Sequence, residues 1–105
     1  MRKQVYDRQS IIESLCQHEE TIKRLGVKKL GLFGSFVRNE QSAHSDIDLL
    51  VEFVPEQENF RNLMGLHHYL SDLFDRSIEV VTVNSLSPYI GPHILEEVEY
   101  VPFSN

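Results

Sequence analysis

Two short apolar runs, residues 27–33 and 46–53, flank a Gly34-Ser35 pair and a polar stretch, and this interrupted pair constrains the chain more than any other feature. Both runs are rich in Ile, Leu, Val and Phe at strand length, so each is predicted as a β-strand, with Gly34-Ser35 as the tight turn closing the first. The second run opens on Asp46 and Asp48, which places two carboxylates in a segment otherwise built for burial. Residues two apart on a strand share a face. Asp46 and Asp48 are therefore expected on one side, with Ile47, Leu49 and Val51 on the other. Two carboxylates side by side on a rigid strand repel, and without a cation between them one tends to stay protonated. A hard divalent cation such as Mg²⁺ resolves the repulsion, because it takes carboxylate oxygens and keeps water and phosphate as further ligands. For Asp-x-Asp taken alone, the alternative is a solvated strand start or a turn signal.

Helical signals supply the covers for such a sheet. Ser10 opens a Ser-x-x-Glu box with Glu13; Ile11, Ile12, Leu15, Ile22 and Leu25 follow on one helical face, and Gly26 is a C-terminal stop. A helix is predicted over about residues 8–25. Residues 36–41 read as a short helix, 42–45 as a polar loop, and Pro55 ends the second strand. Phe60, Leu63, Met64, His67, Leu70 and Phe74 recur at helical spacing, which predicts an amphipathic helix over 58–74. Residues 77–83 are predicted as a third strand. Pro88 stands near the start of a last helix, with Ile90, Ile94, Leu95 and Val98 on one face. The expected fold is α/β (α+β): a short mixed β-sheet of three or more strands flanked by helices, in a single domain over 1–105.

Length and charge narrow the function. A chain of 105 residues supports one modest core. The single Cys16 excludes an internal disulfide, fits a reducing compartment and reads as a small core residue. With no apolar run of membrane-spanning length and no signal-peptide pattern, the expectation is a cytoplasmic protein without membrane contact. The formal net charge of -6 disfavours binding of extended nucleic acid, which relies on neutralising phosphates. It is compatible with a metal-bridged nucleotide or a basic protein partner.

Glu79 interrupts the apolar residues Ile78, Val80 and Val81. If the third strand pairs beside the second, Glu79 can fall on the aspartate face, and three carboxylates make a two-metal site. The alternative is a sheet-edge residue reaching water. Gly34 permits an unusual backbone angle and close approach of a ligand. The N–H groups at the following helix start favour an anion, to which Ser35 adds a hydroxyl and Arg38 a guanidinium. An ordinary strand–helix turn with a surface arginine is the alternative. His67 is expected as a packed histidine, and His44 as a solvated loop residue. Arg76 is open between a nucleotide contact and a surface salt bridge, and Tyr89 and Tyr100 between packing and partner contact.

Taken in order, GSFVR, then SDIDLLVEF, then IEVV resemble the nucleotidyltransferase superfamily of the DNA polymerase β type, most closely its minimal single-domain prokaryotic (MNT) members. The resemblance covers nearly the whole chain, including the closing EEVEYV. It implies the polymerase β-like fold and transfer of a nucleoside monophosphate from a nucleoside triphosphate to a hydroxyl. By residue, Gly34 and Ser35 match the pair that holds the triphosphate, and Arg38 matches an arginine frequent in the minimal members. Asp46 and Asp48 match the metal-binding aspartates. Glu79 stands where the superfamily usually carries Asp, and its extra methylene can shift the base by on the order of an ångström. Asn39 stands where many relatives carry Gly. The resemblance further implies two Mg²⁺ ions held by Asp46, Asp48 and Glu79, and ATP as substrate. It implies a HEPN-domain toxin as hetero-oligomeric partner, silenced by adenylylation of a tyrosine. Two other functions stay open: a binding module that neutralises its partner by contact alone, and nucleotidyl transfer to a small molecule or an RNA end.

Overall fold

The structure, a computed structural model that describes residues 6–104, gathers the central strand signals into a four-stranded mixed sheet. Its strands are β1 (Val27–Phe33), β2 (Ile47–Phe53), β3 (Ile78–Thr82) and β4 (Glu99–Tyr100), in the order β3-β2-β1-β4. β1 pairs antiparallel with both β2 and β4, while β2 and β3 are parallel. A parallel pair needs a crossover, and α3 (Phe60–Phe74) supplies it. The other helices are α1 (Arg8–Gln17), α2 (Glu19–Arg24) and α4 (Gly91–Glu97).

Strand alternation divides the sheet into unequal faces. Leu30 and Leu32 of β1 and Ile47, Leu49 and Val51 of β2 pack with Ile11, Leu15 and Ile22 of α1 and α2 and with Leu66 and Leu70 of α3, all buried. Burial of each such side chain stabilises the fold by about 1.5–3 kcal/mol. The opposite face carries only a small cluster of Phe33, Leu50 and Ile94, with Val81, Leu86 and Val98 against it. Asp48 lies between Ile47 and Leu49, so it emerges on this thinly covered face. A polar group there keeps access to water and ligands.

Several local expectations are corrected. The helix expected over 8–25 is two helices, broken at His18, which leaves the helical region (φ -109°, ψ 21°) with Nδ1 against the Ser14 carbonyl. The cap of α1 is Asp7 rather than Ser10. Asp7 accepts from the Ser10 N–H at 2.8 Å, and Ser10 Oγ accepts from the Asp7 N–H at 2.9 Å, a reciprocal capping box one turn earlier. Residues 36–41 form no α-helix. Gly34–Phe36 is a single 3₁₀ turn, and Asn39 takes φ +58°, where a helix cannot continue. Asn is among the side chains that tolerate that left-handed angle best. The last helix starts at Gly91, with Pro92 in its first turn, and turns Ile94 inward while Ile90 and Leu95 stay exposed. Phe60, expected on the apolar face of α3, is 76% exposed at its first position. β4 escaped prediction because it has only two residues.

Candidate active site

The parallel register of β2 and β3 sets Asp48 directly opposite Glu79, and Asp46 lies one residue ahead of β2. Asp46 and Glu79 are exposed, and Asp48 is half-buried. Burial pushes the Asp48 carboxyl up from 3.8 to about 7. The charge of Glu79 and a hydrogen bond with it act in the same direction, as does the charge of Asp46, while Arg38 pulls the other way. Folding therefore takes up a proton at Asp48 between pH about 4 and 7, so stability falls as pH rises through that window. Asp7 and Glu19 are held below the ordinary carboxylate range, chiefly by backbone hydrogen bonds from Ser10 and Ser104, so their effects lie at lower pH. We expect Asp48→Asn to raise the metal-free thermal midpoint at pH 8 by roughly 2–5 °C and to flatten the decline between pH 5.5 and 8. Thermal scans of both proteins check this; an unchanged slope contradicts the coupling.

Gly34 closes the site from β1. Its φ of +82° is a left-handed angle suited to glycine, and a Cβ there would stand 2.1 Å from Asp48 Oδ2. The glycine thus lets the backbone of the turn and the Asp48 carboxylate approach each other, with no room for a side chain between them. Arg38, beyond the turn, donates from Nε to Glu40 Oε1 at 2.9 Å and from Nη1 to Glu97 Oε1 at 2.9 Å. Glu97 Oε2 accepts from the Gly34 N–H at 2.7 Å and from Arg38 Nη1 at 3.1 Å. The Gly34 N–H and the Arg38 guanidinium together already bind an anion, here a carboxylate.

Arg76 ties the pieces together through backbone carbonyls rather than through the surface salt bridge that was one of its two expectations. Its Nη1 donates to the Ser45 carbonyl at 2.9 Å, and its guanidinium carbon lies 5.4 Å from the centroid of the buried Phe36 ring. It joins the loop before Asp46 to the Gly34 turn from the start of β3. Arg76→Ala is expected to lower kcat about tenfold with KM little changed, because small misplacements of the reacting groups are costly. A steady-state KM-against-kcat split checks this, and a change confined to KM contradicts it.

The residues singled out from the sequence thus lie at one end of the sheet: Gly34, Ser35 and Arg38 at the turn after β1, Asp46 just ahead of β2, Asp48 in β2, and Glu79 in β3. His67 packs as expected, Nε2 against the Ile78 carbonyl at 3.1 Å, and His44 stays in an exposed loop. Glu97 was missed: it contacts a residue 63 positions away, and no local pattern signals that. Among the described residues no group of three His, Cys, Asp or Glu side chains is arranged to hold a metal ion. The donor chemistry nonetheless fits a hard cation. Asp48 and Glu79 face each other in register under mutual repulsion, and a cation relieves that repulsion as a proton on Asp48 does.

A mixed sheet with a glycine–serine turn set against strand-borne carboxylates defines a nucleotidyltransferase. The nucleotidyltransferase domain family matches residues 15–101, and the chain belongs to that family. A protein of Methanocaldococcus jannaschii, provisionally named a protein adenylyltransferase, is 38% identical over 93 residues, 87% of this chain and 94% of the relative. The protein adenylyltransferase MntA of Thermococcus cleftensis is 38% identical over 92 residues, 86% of this chain and 92% of the relative. A solved structure described provisionally as a minimal nucleotidyltransferase superposes with a TM-score of 0.69 at 28% identity, covering 84% of this chain and 93% of that one. A chain of the complex between a tri-AMPylated HEPN toxin of Shewanella oneidensis and an MNT antitoxin shares the fold, with a TM-score of 0.56 at 18% identity over 84% of this chain and 71% of that one.

Proposed function

We propose that this protein is a Mg²⁺-dependent protein adenylyltransferase that moves AMP from ATP to a tyrosine hydroxyl of a HEPN-domain toxin, with which it forms a hetero-oligomer. The observation that carries the reading is the close approach of Gly34 to the Asp48 carboxylate, with Glu79 in register beside it. It sets anion donors and metal-type ligands against each other, as nucleotidyl transfer requires. The names of the relatives support AMP transfer to protein, and the HEPN complex that shares the fold supports the acceptor.

In this reading the Gly34 N–H, the Ser35 hydroxyl and Arg38 bind the β- and γ-phosphates of ATP. Asp46, Asp48 and Glu79 would hold two Mg²⁺ ions, which when bound neutralise phosphate charge and lower the pKa of the acceptor hydroxyl. Glu79 accepts the proton of that hydroxyl. The hydroxyl oxygen attacks the α-phosphorus in line, the bond from the α-phosphorus to the bridging oxygen breaks, and pyrophosphate leaves with the negative charge. Arg38 neutralises that charge. The longer side chain of Glu79 does not remove it from the site, since it stands in register opposite Asp48 and close enough for its charge to raise the Asp48 pKa. This favours catalysis over neutralisation by contact.

ATP labelled at the α- or the γ-phosphate discriminates the outcomes. Label from the α-position on the toxin, and none from the γ-position, supports AMP transfer. Label on RNA or a small molecule instead replaces the acceptor, and γ-label on the toxin overturns the reaction type.

A further inference from the structure

We propose that Glu97 is an internal anion that occupies the phosphate cradle and leaves it when a nucleoside triphosphate binds. The proposal rests on the nucleotide-site reading above and deepens it, because the occupying group comes from the protein itself.

The two donors assigned to the triphosphate are the two that Glu97 engages. Its Oε2 takes the Gly34 N–H at 2.7 Å, and both carboxylate oxygens lie within 3.1 Å of Arg38 Nη1. A carboxylate offering two oxygens to a guanidinium and a backbone N–H mimics the paired oxygens of a phosphate. A backbone N–H donates one full hydrogen bond, so Glu97 and a phosphate oxygen exclude each other at Gly34. On its other side Arg38 is held by Glu40 at 2.9 Å. With Glu97 seated, Arg38 sits between Glu40 and Glu97 and close enough to act on Asp48, in a setting that opposes an incoming polyanion.

The contact is built to release. Glu97 is the last residue of α4, a helix of seven residues held to the sheet by Ile94 with Val98 beside it. Its side chain is 24% exposed, so water reaches it, and a rotamer change or a small shift of α4 frees Gly34 and Arg38. A triphosphate carries more charge and more acceptor oxygens than one carboxylate and replaces it. Glu97 therefore sets the nucleotide concentration at which the site fills, and keeps the cradle ordered when empty.

The test is calorimetric titration of Mg²⁺·AMP-PNP into the intact protein and its variants, with folding checked by thermal unfolding. Glu97→Gln keeps an oxygen that can accept from Gly34 but removes the charge. Its Kd is expected to tighten about two- to fivefold, the range for a partly exposed ion pair removed from competition. Glu97→Ala is expected to tighten it at least as much. Glu96→Gln, an exposed neighbour on the same helix, is expected to leave Kd unchanged and so separates direct competition from a general loss of negative charge. If the wild type binds and Glu97→Gln binds equally or more weakly, Glu97 positions Arg38 rather than competing, and the proposal fails alone. If neither the wild type nor any variant binds Mg²⁺·AMP-PNP, the nucleotide-site reading fails and this proposal with it.

Discussion

Replacing Asp46 and Asp48 together by Asn is expected to lower AMP transfer at least roughly 10³-fold, equivalent to about 4 kcal/mol of lost transition-state stabilisation. The expected loss is catalytic and not structural. Asp46 is exposed ahead of β2, and Asp48 is a half-buried carboxyl already held near neutrality by burial and Glu79, so Asn at both positions relieves repulsion and preserves the sheet. The variant should unfold at or above the wild-type temperature and still form a complex with its partner. Its residual AMP transfer under saturating ATP and Mg²⁺ is the measured quantity. Retention of more than a tenth of wild-type activity would remove the aspartates from the chemistry.

Gly34→Ala has the second large effect, and here stability and activity fall together. A non-glycine residue at φ +82° costs about 1–2 kcal/mol in backbone conformation. The added methyl also meets Asp48 Oδ2 at 2.1 Å, Cγ at 3.0 Å and Cβ at 3.2 Å, within a turn bordered by the buried Phe33 and Phe36. Overpacking of that kind adds about 1–3 kcal/mol. The expected total is about 2–5 kcal/mol, or a fall in the unfolding midpoint of roughly 10–40 °C for a chain of this size. Activity in the folded fraction should drop at least about 100-fold, because the turn and the carboxylate can no longer approach each other. A double-mutant cycle isolates the clash: Asp48→Gly, by removing the offending atoms, should restore part of the stability lost in Gly34→Ala. Strict additivity would show that the backbone angle alone carries the cost.

How much of this was legible in the sequence follows from the range of the interactions involved. β1 came out at its full length because its apolar run is bounded by glycines at both ends, Gly26 at φ +89° and Gly34 at φ +82°. The aspartates could be assigned to one face because strand periodicity is local, and Glu79 joined them through a single pairing of neighbouring strands. The cap of α1 was misplaced by three residues because Asp7 and Ser10 are both good cap residues, and only the backbone angle at Asp7 decides between them. The short helix after Phe36 failed because Asn39 adopts a left-handed angle that its residue type permits but does not announce. The exposed Ile90 and Leu95 show the limit of a periodicity argument in a helix of two turns, where one inward residue, Ile94, satisfies the packing. Arg76 and Glu97 lay beyond reach. Each acts through contacts 31 or 63 residues away, and an arginine ahead of a strand or a glutamate ending a helix carries no mark of its target.

If the turn and the three carboxylates transfer AMP to a protein, intact-mass spectrometry of the proposed HEPN-domain partner, after incubation with this protein, ATP and Mg²⁺, shows it most directly. The expected result is a gain of one or more AMP residues on that partner, lost when Asp46→Asn/Asp48→Asn replaces the wild type. An unchanged partner mass, with a stable complex and a folded nucleotidyltransferase in the same tube, would contradict it and leave contact alone as the means of neutralisation.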